Sequence, residues 1–310
     1  MRLYYAFVTG ISGWLGVAFY KFIFPGQVDA CRLIIVLTIL FLSWGINQIV
    51  NDYLGLKEDR INAPNRPMVN GSLAIKPAMT LTAILLSIAI FISYLLNPLA
   101  VIPIVAGILL NILYEYAKAF SLMGNIVFGV MIAMCPAYGF LACGPAPQPL
   151  LTVNRISVLI LVAILNGLMT FYTYFKDHTG DKQAGKKTFI VKYGIDKARR
   201  AGVVGAFVTI FALFGLIYIN WLPVEDILFK HTFIFCMAVT FFLQCWTAYL
   251  YFVYPQGQRT YFSLVTNFRA CIAGQCALIA IFNGELALYL LIASYILVGF
   301  LFNAYTDAKS

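Results

Sequence analysis

Runs of about twenty predominantly apolar residues recur along almost the whole of this 310-residue chain. Each is long enough to cross the roughly 30 Å hydrocarbon core of a bilayer as a helix. No water reaches that core to satisfy backbone N–H and C=O groups, so only helices and closed barrels span it. The runs are continuous and do not alternate in polarity over ten-residue strands, which excludes a membrane barrel. Composition agrees: 62% of the residues are hydrophobic and only 11% charged, against about 25% charged in a soluble domain. The expected fold is all-α, a polytopic membrane bundle.

Spanning helices are expected at about Tyr5–Phe24, Leu33–Val50, Ala74–Leu96, Leu99–Tyr116, Leu122–Cys143, Arg155–Phe175, Gly202–Ile219, Phe229–Tyr254, Phe262–Phe282 and Leu286–Ala304. The last leaves the count at nine or ten. Within a single domain of residues 1–310, the stretch 286–310 reads either as a further span or as a peripheral helix. The first run is preceded by Arg2 and followed by the bulky Tyr20–Pro25, so it lacks the small-residue cleavage site of a signal peptide and is expected to stay as an anchor.

Two connections are long and polar, Asn51–Ser72 and Lys176–Arg200. They follow the second and sixth runs and so share a membrane side. Of the 21 Lys and Arg, about sixteen fall on that side, Arg2 and Lys309 among them. Lys21, Arg32, Arg155 and Lys230 fall on the other, and Arg269 lies inside a run. By the positive-inside rule both long connections are expected to be cytoplasmic. The same asymmetry accounts for the formal charge of +9 without a nucleic-acid partner. The seven cysteines contain no C-x-x-C pair, and neither zinc nor a disulfide framework is expected.

Acidic residues number only twelve, and five of them sit in two short stretches: Asp52, Glu58 and Asp59, then Asp177 and Asp181. Each stretch begins at the end of an apolar run, so two carboxylate clusters face the same side of one bundle. Asp177 and Asp181 are four residues apart, which places both on one face of a continuing helix; Asn51, Gly55 and Asp59 repeat that spacing. Carboxylate and amide oxygens that leave room for water and phosphate oxygens suit Mg²⁺, which seldom has an all-protein cage. Bases surround the acids: Lys57, Arg60 and Arg66 in the first stretch, Lys176, Lys182, Lys186 and Lys187 in the second. Acids and bases together fit a polyanion bridged by a metal, such as a diphosphate, although part of the basic excess also serves topology.

The segment Asn51-Asp52-Tyr53-Leu54-Gly55-Leu56-Lys57-Glu58-Asp59, continuing to Arg66-Pro67, resembles the first Asp-rich motif of the UbiA superfamily of intramembrane prenyltransferases. Asp177-His178-Thr179-Gly180-Asp181 resembles its second, D-x-x-x-D, and Tyr114-Glu115-Tyr116-Ala117-Lys118 its Y-x-x-x-K pattern. Gly124-Asn125 resembles the helix start that follows.

The resemblance implies a helical bundle around a central cavity open to lipid. Within it, Asn51, Asp52 and Asp59 would hold Mg²⁺ on one side of a prenyl diphosphate, and Asp177 and Asp181 a second Mg²⁺ opposite. Arg66, Lys118 and Lys182 would contact the diphosphate, with Tyr114 near the departing group. The middle Asp of the family's first motif is Gly55 here, a variant resembling superfamily members that cyclise their substrate. On a straight helix Asn51 and Asp59 stand about 12 Å apart, so either the helix unwinds, or Glu58 or water compensates.

Two activities follow: transfer of the prenyl group to a lipophilic, aromatic or quinone-like acceptor, or class I terpene cyclisation without an acceptor. Either generates an allylic cation that aromatic faces stabilise by about 0.5–2 kcal/mol each. Among the aromatics near the motifs, Tyr114 and Tyr172 are the candidates. His178 is read as a solvated side chain in preference to a base, and His231 as interfacial. A transporter would place its charges near the bilayer midplane, whereas these acids cluster at helix ends.

Overall fold

A computed structural model of the chain describes residues 3–222, 230–257 and 259–304. The orientation markers Arg2 and Lys309 lie outside them. Twelve α-helices are described: α1 (Ala6–Ile23), α2 (Ala30–Leu54), α3 (Leu56–Asn62), α4 (Ile75–Leu96), α5 (Val101–Ala117), α6 (Met123–Ala142), α7 (Val153–Gln183), α8 (Phe189–Tyr193), α9 (Ile195–Tyr218), α10 (Lys230–Val253), α11 (Thr260–Ala280) and α12 (Gly284–Ala304). All but the short α3 and α8 are apolar and long enough to cross a membrane, ten in number among the described residues. Each expected span matches one of them to within a few residues, except at the ends of α2, α7 and α9.

The tenth run is a full-length helix: α12 spans 21 residues and packs on α11, α10 and α1. Residues 305–310 of the tail considered above lie outside the described residues. The long polar connections, in contrast, are not simply loops. The α7 helix continues eight residues past Phe175 to Gln183, and α9 begins at Ile195, well before the expected Gly202. Helix α7 stops at a glycine-terminated motif: the Lys186 N–H donates to the Asp181 carbonyl (2.9 Å), the Gly185 N–H to that of Lys182 (3.3 Å), and Gly185 has φ +79°. A left-handed residue closing such a pair of bonds favours glycine, so Gly185 sets the helix end.

The centre of the bundle is built from α6, α7 and α11, which are mostly buried, whereas α2, α4, α5, α9 and α12 turn much of their apolar surface outward. Lipid offers no hydrophobic drive between helices, so close packing and polar contacts hold them. Helices α1 and α6 approach until a Cβ at Gly139 would collide with the Gly13 carbonyl, and one at Gly16 with the Pro136 backbone. Between α7 and α11, Asn267 Nδ2 donates to the Met169 carbonyl (2.7 Å), and Asn166 Oδ1 accepts from Cys271 Sγ and Gln275 Nε2 (3.3 and 3.4 Å). As the spans alternate in direction, the C-terminal ends of α2, α5, α7, α10 and α12 share one end of the bundle with the N-terminal ends of α6, α9 and α11.

Candidate active site

That shared end holds a polar pocket. Asn51, Asp52 and Gly55 enter it from the end of α2, and Glu58, Asp59 and Asn62 from α3. Arg66 follows α3, Tyr114, Glu115 and Lys118 come from the end of α5, and Asp177 and Asp181 from α7. Tyr5, Trp44, Gln48, Phe128, Met169, Thr170 and Thr173 form the deeper wall. The two acidic clusters therefore face one another across a single pocket.

The first cluster sits on a kink. Gly55 separates α2 from α3, yet the ladder continues through it: the Gly55 N–H donates to Asn51 O (2.8 Å) and the Asp59 N–H to Gly55 O (3.0 Å). The helix bends here without unravelling. A side chain at Gly55 would enter the pocket, since its Cβ would lie 3.9 Å from Glu115 Oε1 and 4.0 Å from Asp59 Oδ2. The Glu115 carboxylate of α5 thus lies beside the Gly55 position.

Asn62 sets the spacing of the two clusters. Its Nδ2 donates to the Asp177 carbonyl (3.0 Å), and its Oδ1 accepts from the Gly180 N–H (2.8 Å). This amide locks the end of α3 onto the motif turn of α7. A Cβ at Gly180 would strike the Asn62 amide, so the close approach requires glycine there.

Charges are compensated unequally. Arg66 pairs with Asp59 and, at 3.1 Å, with Asp52. Lys118 Nζ lies 2.8 Å from Glu115 Oε2, and Lys186 Nζ lies 3.3 Å from both Glu58 Oε1 and Glu115 Oε1. Burial opposes the charge on Lys118, but Tyr114, Glu115 and Asp181 outweigh it and hold the ammonium pKa above the usual lysine value. The same ammonium lies 4.6 Å from the centre of the Tyr114 ring. Among the residues that line the pocket, three buried acceptor oxygens are left without a hydrogen-bond partner: Asn51 Oδ1, Glu58 Oε2 and Asp181 Oδ2. A buried acceptor without a donor is costly, so these oxygens mark where a cation or donor is missing. Among the described residues no three His, Cys, Asp or Glu side chains form a ready-made metal cage. The donors stand in two half-sites, the arrangement that suits an ion whose remaining ligands are water and phosphate.

Of the residues predicted from sequence, Asn51, Asp52, Asp59, Arg66, Tyr114, Lys118, Asp177 and Asp181 all line the pocket. Lys182 does not: it is exposed, because one residue past Asp181 rotates a side chain about 100° around the helix. Lys186, beyond the glycine turn, does not line the pocket either, but its ammonium pairs with the pocket residues Glu58 and Glu115. Tyr172 also lies elsewhere. Its hydroxyl donates to the Gly202 carbonyl (2.5 Å) and its ring stacks on Tyr251, so it fastens α7 to α9 and α10. Neither His178 nor His231 lines the pocket, and His231 is exposed.

Glu115, Asn62 and Tyr5, whose ring stacks on Trp44 (ring centres 4.3 Å apart), are site residues that motif reading passed over. For Glu115 a signal existed, a lone carboxylate at the end of an apolar run within Y-x-x-x-K. For Asn62 none did.

An apolar cavity of about 290 Å³ adjoins the pocket, bounded by α2, α4, α5 and α6. Trp44 forms part of both walls. Its indole N–H donates to Gln48 Oε1 (2.9 Å), which fixes the ring between the polar and apolar compartments.

Comparison with known proteins agrees with this layout. The profile of the UbiA prenyltransferase family matches residues 12–265. Digeranylgeranylglyceryl phosphate synthase from Thermococcus sibiricus is 32% identical over 207 residues, covering 66% of this chain and 71% of that protein. The enzyme of the same name from Pyrococcus furiosus is 26% identical over 239 residues, covering 74% and 83%. The fold is that of a UbiA homologue from Aeropyrum pernix, with a TM-score of 0.71 at 15% identity over 90% of this chain and 98% of that one. It is also that of a UbiA homologue from Archaeoglobus fulgidus bound to GPP and Mg²⁺, with a TM-score of 0.59 at 13% identity over 91% and 99%. With most of its length matched by the family profile and its acidic clusters facing across one pocket, the chain belongs to the UbiA prenyltransferase family.

Proposed function

We propose that the chain ionises an isoprenyl diphosphate in this pocket and transfers the prenyl group to a lipophilic acceptor. The observation that carries the reading is the pairing of two half-sites of buried, partly unpartnered oxygens with an adjoining apolar cavity. Polar head and apolar tail of one substrate each find a compartment, and Trp44 stands at the boundary. Asn51, Asp52 and Asp59 on one side, with Asp177 and Asp181 on the other, are the residues to hold Mg²⁺; Glu58 and Glu115 supplement the first half-site. When bound there, Mg²⁺ neutralises the diphosphate and eases its departure.

The chain's own groups account for the rest. Arg66 and Lys118 stabilise the charge that develops as the carbon–oxygen bond breaks and its electron pair leaves with the diphosphate. An allylic cation remains, facing the Tyr114, Trp44 and Phe128 rings. Apolar walls keep water from quenching it, so the acceptor oxygen or carbon attacks C1 and then loses its proton.

The cyclase alternative rested on Gly55. Glu115 next to Gly55 supplies a carboxylate by another route, which weakens Gly55 as a marker of cyclisation. The named relatives, whose name describes a glyceryl phosphate carrying two geranylgeranyl groups, add a glycerophosphate lipid to the acceptors to be tried beside quinone and phenolic compounds.

The test is product analysis. Purified protein is incubated with Mg²⁺ and geranyl, farnesyl or geranylgeranyl diphosphate, with and without geranylgeranylglyceryl phosphate or a quinone precursor, and the extract is examined by mass spectrometry. A prenylated acceptor that disappears in Asp181→Asn is the expected result. A cyclic terpene formed without acceptor would replace transfer with cyclisation, and diphosphate release unaffected by chelation would overturn both.

A further inference from the structure

Arg269 is, among the described residues, the charged side chain set deepest along a membrane-length helix. It is the tenth of the 21 residues of α11, about 14 Å along the axis from Thr260, or near half the hydrocarbon thickness. The other charged groups of the spans gather toward helix ends. Intramembrane cations of this kind pair with carboxylates or carbonyls, or mark a binding function. Here no carboxylate among the described residues pairs with Arg269. Its Nε donates to the Tyr295 carbonyl of α12 (3.1 Å), and the guanidinium lies 4.0 Å from the centre of the Tyr295 ring.

The terminal nitrogens reach further. Nη2 lies over Gly299, one turn beyond Tyr295, so close that a Cβ there would collide with it. The side chain therefore runs along α12 toward Ala304, the end of the bundle that carries the motifs, as a snorkelling arginine does. The flanking Tyr295, Ile296 and Phe300 are exposed, which places this groove on the outer, lipid-facing surface. Nη1 and Nη2 have no acceptor among the described residues.

We propose that Arg269 holds the phosphate of an anionic phospholipid in the leaflet on the motif side. The fork of N–H groups left open by the Tyr295 contact matches two phosphate oxygens, and the exposed apolar flanks receive the acyl chains. A soluble phosphate would find no aqueous approach along these flanks. The lipid thus completes the charge balance of the α11–α12 hairpin, apart from the diphosphate pocket.

The experiment is native mass spectrometry of the detergent-purified chain with phosphatidylglycerol or phosphatidylcholine. Thermal unfolding in the same two lipids supplies a second readout. Wild type should retain phosphatidylglycerol preferentially, and Arg269→Gln should weaken that retention about fivefold, the worth of one basic residue near an anionic surface. Arg269→Lys should keep part of it. Gly299→Ala, which retains the charge but occupies the place of Nη2, should lower it too. Millimolar inorganic phosphate should not displace the lipid.

Equal retention by wild type and Arg269→Gln, or no preference for the anionic lipid in wild type, would overturn the proposal. Displacement by inorganic phosphate would reassign the group to a soluble anion. If Arg269→Gln does not fold, the wild-type lipid preference and Gly299→Ala decide the matter.

Discussion

The two ends of this bundle are both rich in polar side chains, and they use them in opposite ways. At the end away from the motifs, Arg32 Nη1 donates to the carbonyls of Leu96 and Ala142 (3.3 Å each), and Asn97 Nδ2 to those of Leu141 and Gly144 (2.8 Å each). Arg155 Nη1 reaches the carbonyls of Pro147, Pro149 and Leu150. These donors satisfy helix ends and loop carbonyls that would otherwise be unpaired. At the motif end, in contrast, the pocket residues Asn51, Glu58 and Asp181 each keep a buried oxygen without a partner. A polar group spent on backbone is architecture; a buried acceptor left unspent beside others of like charge is a place for a ligand.

That contrast orders the expected effects of mutation. Asp181→Asn should lower kcat by about two to three orders of magnitude, as for loss of a group acting on developing charge, while leaving the protein folded on size-exclusion chromatography. Asn62→Ala should lower kcat/KM by about 10–100-fold, because supporting contacts behind metal ligands carry effects of that size. Gly180→Ala, which drives a methyl into the same amide, should resemble it. Lys186→Ala should cost about tenfold by leaving Glu58 and Glu115 without their shared ammonium, whereas Lys182→Ala should stay within about twofold; the reverse order would restore the assignment suggested by sequence. Arg155→Gln should leave kcat unchanged and lower Tm by a few degrees, in line with about 1–3 kcal/mol for hydrogen bonds lost at a partly buried donor. A catalytic defect in Arg155→Gln, or none in Asp181→Asn, would erase the distinction between the two ends.

The spans were legible because a bilayer imposes one length and one polarity on every crossing segment. Hence even the last run, Leu286–Ala304, appears as a helix of the expected extent. Legibility failed where tertiary packing, not composition, decides the outcome. The spacing of Asp177 and Asp181 implies that the helix continues past Phe175, as it does, but its end at Gln183 and the Asn62 contacts that support it from α3 are not written in the local sequence.

The motif acids and Tyr114, Lys118 and Arg66 could be named in advance because their spacing is local. Lys182 and Lys186 could not be told apart, since the choice depends on helix rotation and on a turn with positive φ. Glu115 was visible as a residue but not as a partner of the Gly55 position, a relation between α5 and the α2–α3 kink that no spacing along the chain encodes. Asn62 gave no sign at all: its role exists only once α3 lies on α7.

The most direct measurement replaces Mg²⁺ by Mn²⁺ and counts bound ions by electron paramagnetic resonance. A non-cleavable prenyl thiodiphosphate is added to wild type and to Asp181→Asn. The account predicts Mn²⁺ held by wild type only when the analogue is present, with loss of bound ion in the variant. Tight Mn²⁺ binding without the analogue, or equal binding by both proteins, would contradict a site whose two half-sets of oxygens are completed by a diphosphate.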